Sequence, residues 1–173
     1  MPLPATIPSD AALVALHQAR ELLVAKGMNV LGGWALLNLL VSGYLVTQHH
    51  RRHESFHFHL MNFGWGLVNA VLAAVSILNT HPGLTSGISL TSLLAEQLHL
   101  ENILLFNAGL DVAYIATGFW LRAQALAPTT SQPERLAGFG RSLWVQGGFL
   151  LVFDTALWLV LHRFTTSLLV LVR

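Results

Sequence analysis

No cysteine occurs in the 173-residue sequence, which excludes disulfides, thiolate metal sites, cysteine nucleophiles and iron–sulfur clusters. Charge is also scarce. Charged residues make up 10% of the chain against 54% hydrophobic, whereas a soluble domain carries about 25% charged residues. A surface facing water on every side cannot be built from so few charges, and lipid is the expected covering. The formal net charge of +1 supplies no basic field for nucleic acid. The opening MPLPATIPSD has no basic segment leading into an apolar core, so a cleaved signal peptide is not expected. G-x-S-x-G, Walker and G-x-G-x-x-G patterns are missing as well, and no cofactor is expected.

What the chain does have is long apolar runs. Segments at about 28–47, 56–79, 103–122 and 142–162 each reach the roughly 20 residues that a helix needs to cross a bilayer. Phe164–Val172 is too short to cross and reads as an extension of the fourth segment to residue 172. Ahead of the first span, Ser9 and Asp10 can cap a helix over 9–26, with Leu13, Leu16, Leu23 and Val24 on one side and Gln18, Arg20, Glu21 and Lys26 on the other. Such a segment is expected to lie along the membrane surface, an ordinary packed first helix being the alternative. HPGLTSGISLTSLLAEQLHLE, between the second and third spans, predicts breakers followed by a short leucine-faced interfacial helix. APTTSQPER reads as a plain linker. The expected fold is therefore all-α: a single transmembrane domain over 1–173, built as a four-helix bundle with an N-terminal amphipathic interfacial helix.

Basic residues suggest an orientation. Arg51, Arg52, Arg122, Arg135 and Arg141 fall at one end, Arg20, Lys26, Arg163 and Arg173 at the other, and the 80–100 loop holds none. The excess places both termini outside. An internal echo is present too: GWALLN (33–38) and GWGLVN (64–69) share GW-x-L-x-N, and NAGL from Asn107 and QGGF from Gln146 are each followed by an aspartate. Two related hairpins are one reading. Recurrence of small residues beside Trp for packing alone is the other.

Polar residues sit where they are least expected. Asn38, Asn69 and Asp111 lie near the middle of the first three spans, and Asp154 a little past the middle of the fourth. In the second span His59, Asn62, Gly66, Asn69, Ala73 and Ser76 follow alternating steps of three and four, which marks one seam of a packed helix. Asn107, Asp111, Tyr114 and Gly118 repeat this in the third, and Gly147, Asp154, Trp158 and Thr165 line one side of the fourth. These seams are expected to face inward, because lipid offers them no hydrogen bonds. The predicted interior is a layer of Asn38, Asn69, Asp111 and Asp154, lined by His59, Asn62, Asn107, Tyr114 and Gln146.

Energetics separate two roles for that layer. An aspartate at a helix centre costs roughly 2.5–3.5 kcal/mol on insertion, and each Leu, Ile, Val or Phe returns about 0.3–0.6 kcal/mol. An interhelical hydrogen bond contributes only about 0.6 kcal/mol, and asparagine supplies one without the charge. Two aspartates are an expensive glue, which favours binding or conduction of protons, a small cation or a small polar solute. The structural alternative is a protonated aspartate bonded to Asn38 or Asn69, setting helix register. If Asp111 and Asp154 face each other, like charge keeps at least one proton on the pair.

HHRRHESFHFH (49–59) places five histidines in eleven positions, with His49, His53 and His57 at i, i+4 and i+8. These three are the candidates for metal. Arg51 and Arg52 inside the cluster repel a cation, and Glu54 is its only carboxylate, so the segment reads as a bend at lipid headgroups without metal. His57 and His59 can still pass protons toward the seam, because histidine titrates near neutrality.

FHFHLMNFGWGLVN, FNAGLDVAYIATG and QGGFLLVFD resemble an uncharacterised family of small four-span bacterial membrane proteins. The resemblance covers the chain from the first span to the fourth. It implies a bacterial inner-membrane home and no particular chemistry. Three functions stand open: a binding or conducting bundle, a non-catalytic scaffold, and a histidine-metal enzyme. The scaffold would meet its own copy or another membrane protein through glycine-rich faces. The expected partners are thus the lipid bilayer and a second membrane chain, with no nucleic acid.

Overall fold

The computed structural model describes residues 10–79 and 89–172. They form α1 (Asp10–Gln48), α2 (Glu54–Asn79), α3 (Leu90–Ala125) and α4 (Pro133–Val172), with no strand among the described residues. All four helices are long and apolar enough to cross a membrane. Their surfaces are inverted relative to a soluble bundle. Leu40, Leu78, Phe106 and Val152 are exposed, while Asn38, Asn62, Asn69, Asp111, Gln146 and Asp154 are buried.

Two expected boundaries are absent. The segment 9–26 does not form a separate interfacial helix, since its described residues are the first part of an unbroken α1. Gly27 stands at the join, and it marks a close approach rather than a break: a Cβ there would stand 3.1 Å from Leu157 Cδ1 on α4. The expected cap Ser9 lies outside the described residues, as do the His81–Gly83 breakers. Likewise 90–101 is no isolated interfacial helix but the first third of α3. Ser89 starts it with a capping box, its Oγ accepting the Ser92 backbone N–H at 3.1 Å while Ser92 Oγ accepts the Ser89 N–H at 3.2 Å. Pro133 opens α4, where its missing N–H is harmless, and α4 includes the expected extension to residue 172.

The α1–α2 and α3–α4 turns share one end of the bundle. There Arg122 Nη1 lies 3.5 Å from Glu54 Oε1, and a Cβ on Gly138 would stand 2.5 Å from the Glu54 carbonyl oxygen. With 26 residues in α2 and 39, 36 and 40 in α1, α3 and α4, a rise of about 1.5 Å per residue carries the three long helices about 15–20 Å beyond α2. At that open end Leu13 and Leu16 of α1 pack on Leu90, Leu93 and Leu94 of α3. The middle of the bundle is held by Leu31, Ala73 and Leu150, and Leu104, Leu157 and Leu161 pack with Leu23, Val24 and Met28 on the open side of it. Within this frame α1 packs on α2, α2 on α4 and α4 on α3.

Candidate functional site: a carboxyl pair beside an interior cavity

The interior polar residues divide into separate groups. On the side of α1, Gln146 Nε2 donates to Asn38 Oδ1 at 2.8 Å and to Asn62 Oδ1 at 2.9 Å. Ser142 Oγ donates to the same Asn62 oxygen at 2.7 Å. Trp34 Nε1 donates to Gln146 Oε1 at 2.9 Å, and Asn38 Nδ2 returns to the Trp34 carbonyl at 2.8 Å. The side-chain amides of Gln146 and Asn38 are thereby committed at both ends. Such a closed network ties α1, α2 and α4 in register, and it uses Asn38 without any aspartate.

The aspartates meet each other instead. Gly147 lets α4 come close to α3, a Cβ there standing 3.0 Å from the Asp111 carbonyl oxygen. Asp154 follows one heptad later on the same side of α4. The Asp111 and Asp154 side chains lie close enough to interact, and like charge disfavours ionising both carboxyls of such a pair. Asp111 is 2% exposed, Asp154 6% and Asn69 1%. Around them lies a cavity of about 180 Å³, whose polar wall is Asn69, Asn107, Asp111, Tyr114 and Asp154. Asp111 Oδ2 and Asn69 Nδ2 are buried without a partner in the chain. The residues that carry this unsatisfied acceptor and this unsatisfied donor therefore line one cavity. At about 30 Å³ per water the cavity holds about six, or a small organic group.

Four of the expected layer and lining residues on α2 and α3, namely Asn69, Asn107, Asp111 and Tyr114, reach this cavity, and Asp154 joins them from α4. Asn38, Asn62 and Gln146 belong to the closed network. His59 belongs to neither, because its Nδ1 lies 3.2 Å from Ser42 Oγ and its ring stacks on His49 at 5.7 Å. The metal candidates His53 and His57 are tied to the backbone of the 50–53 turn. His57 Nε2 is 2.9 Å from the Arg51 carbonyl, and the His53 backbone N–H donates to the His50 carbonyl at 2.9 Å. Among the described residues no three His, Cys, Asp or Glu side chains gather as a metal site.

One cluster was not anticipated. Glu101, 5% exposed, accepts from Gln97 Nε2 at 3.0 Å and from Thr165 Oγ1, and its Oε2 is 2.8 Å from His162 Nδ1. Gln97 Nε2 also donates to the Leu161 carbonyl at 2.8 Å. The signal was available, since Gln97, Glu101, Leu104 and Asp111 fall on one face once α3 is continuous. Nearby at the open end, Arg20 pairs with Glu21 at 2.9 Å and with Glu96 at 2.8 Å.

Residues 30–155 match the profile of DUF6992, a family of unknown function. The chain belongs to this family. The matched region contains the whole cavity wall and the Asn38–Gln146 network. No curated protein and no solved structure matches the chain.

Proposed function

We propose that this member of DUF6992 is an integral protein of a bacterial inner membrane, with both termini outside, and that it binds a small polar group at the Asp111–Asp154 pair. Helical spans suit an inner membrane, where outer-membrane proteins use β-barrels. The basic residues of the turn end support the orientation. The reading of the site is carried by one observation: two neighbouring aspartates, Asp111 and Asp154, stand on one cavity wall with Asn69, and Asp111 and Asn69 each carry a buried polar atom with no partner in the chain.

Chemically, the pair is a proton store with an adjacent berth. A solute that donates a hydrogen bond meets the carboxyls of the pair, and one that accepts meets the amides of Asn69 and Asn107 on the same wall. A monovalent cation replaces the shared proton, because the carboxylates then need no donor between them. Occupancy is thereby coupled to protonation. Packing alone is a poor account of this arrangement, since two asparagines would hydrogen-bond at a lower insertion cost. The closed Asn38–Asn62–Gln146–Ser142 network is the part of the interior that serves structure.

Infrared spectroscopy of the full chain in liposomes tests the reading. A protonated-carboxyl band, present in the wild type and lost in Asp111→Asn plus Asp154→Asn, is expected to shift on addition of methylammonium or potassium chloride. A band insensitive to both, and to glycerol, would assign the aspartates to packing and leave the chain as a membrane scaffold.

A further inference from the structure

The cavity has a direction. Toward the turn end it is closed by Trp65 and Tyr114, whose rings meet edge to face at 5.0 Å, and behind them by the Gln146 network. Toward the open end its wall residue Phe153 packs against the Leu104, Leu157 and Leu161 cluster. Its side is different. Val68, Leu72 and Leu110 line the cavity and are 49%, 55% and 37% exposed. They form a mouth between α2 and α3, with Asn69 and Asp111 at its floor.

The mouth opens at the depth of hydrocarbon. Val68 and Leu72 lie about 20–27 Å along an α2 that is about 39 Å long, well inside a hydrocarbon core of about 30 Å. A solute using this path comes from the acyl-chain region and not from water. A charged head pays heavily to be there, and an anionic one also meets the carboxylates. One neutral hydroxyl suits the floor: its O–H faces the Asp111 and Asp154 carboxyls, and its lone pairs face the Asn69 and Asn107 amides. The rim of Val68, Leu72 and Leu110 suits the chain that carries it.

Resting on the binding-site reading above, we infer that the cavity is loaded sideways from the bilayer and that its ligand is a lipophilic alcohol, hydroxyl inward and hydrocarbon at the α2–α3 mouth.

The test uses the full chain in liposomes and a diazirine-bearing octan-1-ol, with adducts located by mass spectrometry. Adducts are expected at Val68, Leu72 and Leu110, displaced by decan-1-ol about tenfold more effectively than by decane, the effect of one well-placed hydrogen bond. Glycerol is not expected to compete. Leu72→Trp and, separately, Leu110→Phe should plug the mouth and remove the adducts; both variants are first checked for wild-type thermal unfolding, so that at least one remains informative. Adducts spread evenly over Leu40, Phe106 and Val152, equal displacement by decane, or undiminished labelling in a folded plugged variant would each overturn the inference. The carboxyl band separates the two readings. A band that responds to methylammonium while decan-1-ol fails leaves a water-loaded site and sinks lateral loading alone; a band that responds to no probe sinks both.

Discussion

Gly118 of α3 and Gly140 of α4 meet backbone to backbone: a Cβ on either would stand 2.7 Å from the carbonyl oxygen of the other. Trp144 and Arg122 close over the contact, with Trp144 Cδ1 2.6 Å from the Gly118 position and Arg122 Cγ 2.8 Å from the Gly140 position. Small residues permit such approach in membrane bundles, where van der Waals contact replaces the hydrophobic effect between helices. This contact anchors α3 on α4 two turns from Asp111. Gly118→Ala and Gly140→Ala should each lower stability by about 1–3 kcal/mol through overpacking. Gly109, with nothing within 4 Å of its Cβ position, is the control, and Gly109→Ala should be neutral or stabilising by up to about 1 kcal/mol. Unfolding by titrated denaturing detergent gives the comparison, and equal stability at all three positions would contradict it.

The Gln146 network should be separable from the carboxyl pair. Gln146→Leu removes three hydrogen bonds, to Asn38, Asn62 and Trp34, worth about 0.6 kcal/mol each in a bilayer. A stability loss near 2 kcal/mol is expected, with the carboxyl infrared band unchanged. A band that vanished in this variant would show the two groups to be one network.

Asp111→Asn and Asp154→Asn should retain the fold, at equal or higher stability, because an amide replaces a carboxyl that costs about 2.5–3.5 kcal/mol to insert in charged form. Each should abolish pH-dependent solute binding or flux in liposomes carrying a pH dye. Unchanged activity in both variants would remove the carboxylates from any mechanism.

The Glu101 cluster should respond asymmetrically. Glu101→Ala strands the buried Gln97 and Thr165, at about 1–3 kcal/mol for unsatisfied buried groups. His162→Ala should cost less than about 1 kcal/mol, since the His162 side chain is 49% exposed and solvent screens its pairing. Chemical denaturation ranks the two, and a larger loss in His162→Ala would reverse the assignment of Glu101 as the centre of the cluster.

How far these features could be read without coordinates differs from helix to helix. On α2 the steps of three and four pointed to the residues that are in fact buried, Asn62, Gly66, Asn69 and Ala73, because a polar side turned to an apolar surrounding has no hydrogen-bond partner. The joins at Gly27 and near Glu101 were misread, since an amphipathic stretch and an apolar one are both good helix and nothing local marks a boundary between them. Treating 90–101 as a separate helix hid Glu101. With it went the pairing of Glu101 on α3 with His162 on α4.

Composition and the long apolar runs were enough to establish four helices apolar enough to cross a membrane, for the reason that so few charges cannot cover a water-facing surface. Which polar group meets which was settled by packing. Asn38 reaches Gln146 because α1 lies against α2 and α4, and Asp111 reaches Asp154 because Gly147 admits α3 to the backbone of α4. Each such contact contributes less than about 1 kcal/mol, so partner choice is a sum over the whole bundle and leaves no mark in any short stretch of the chain.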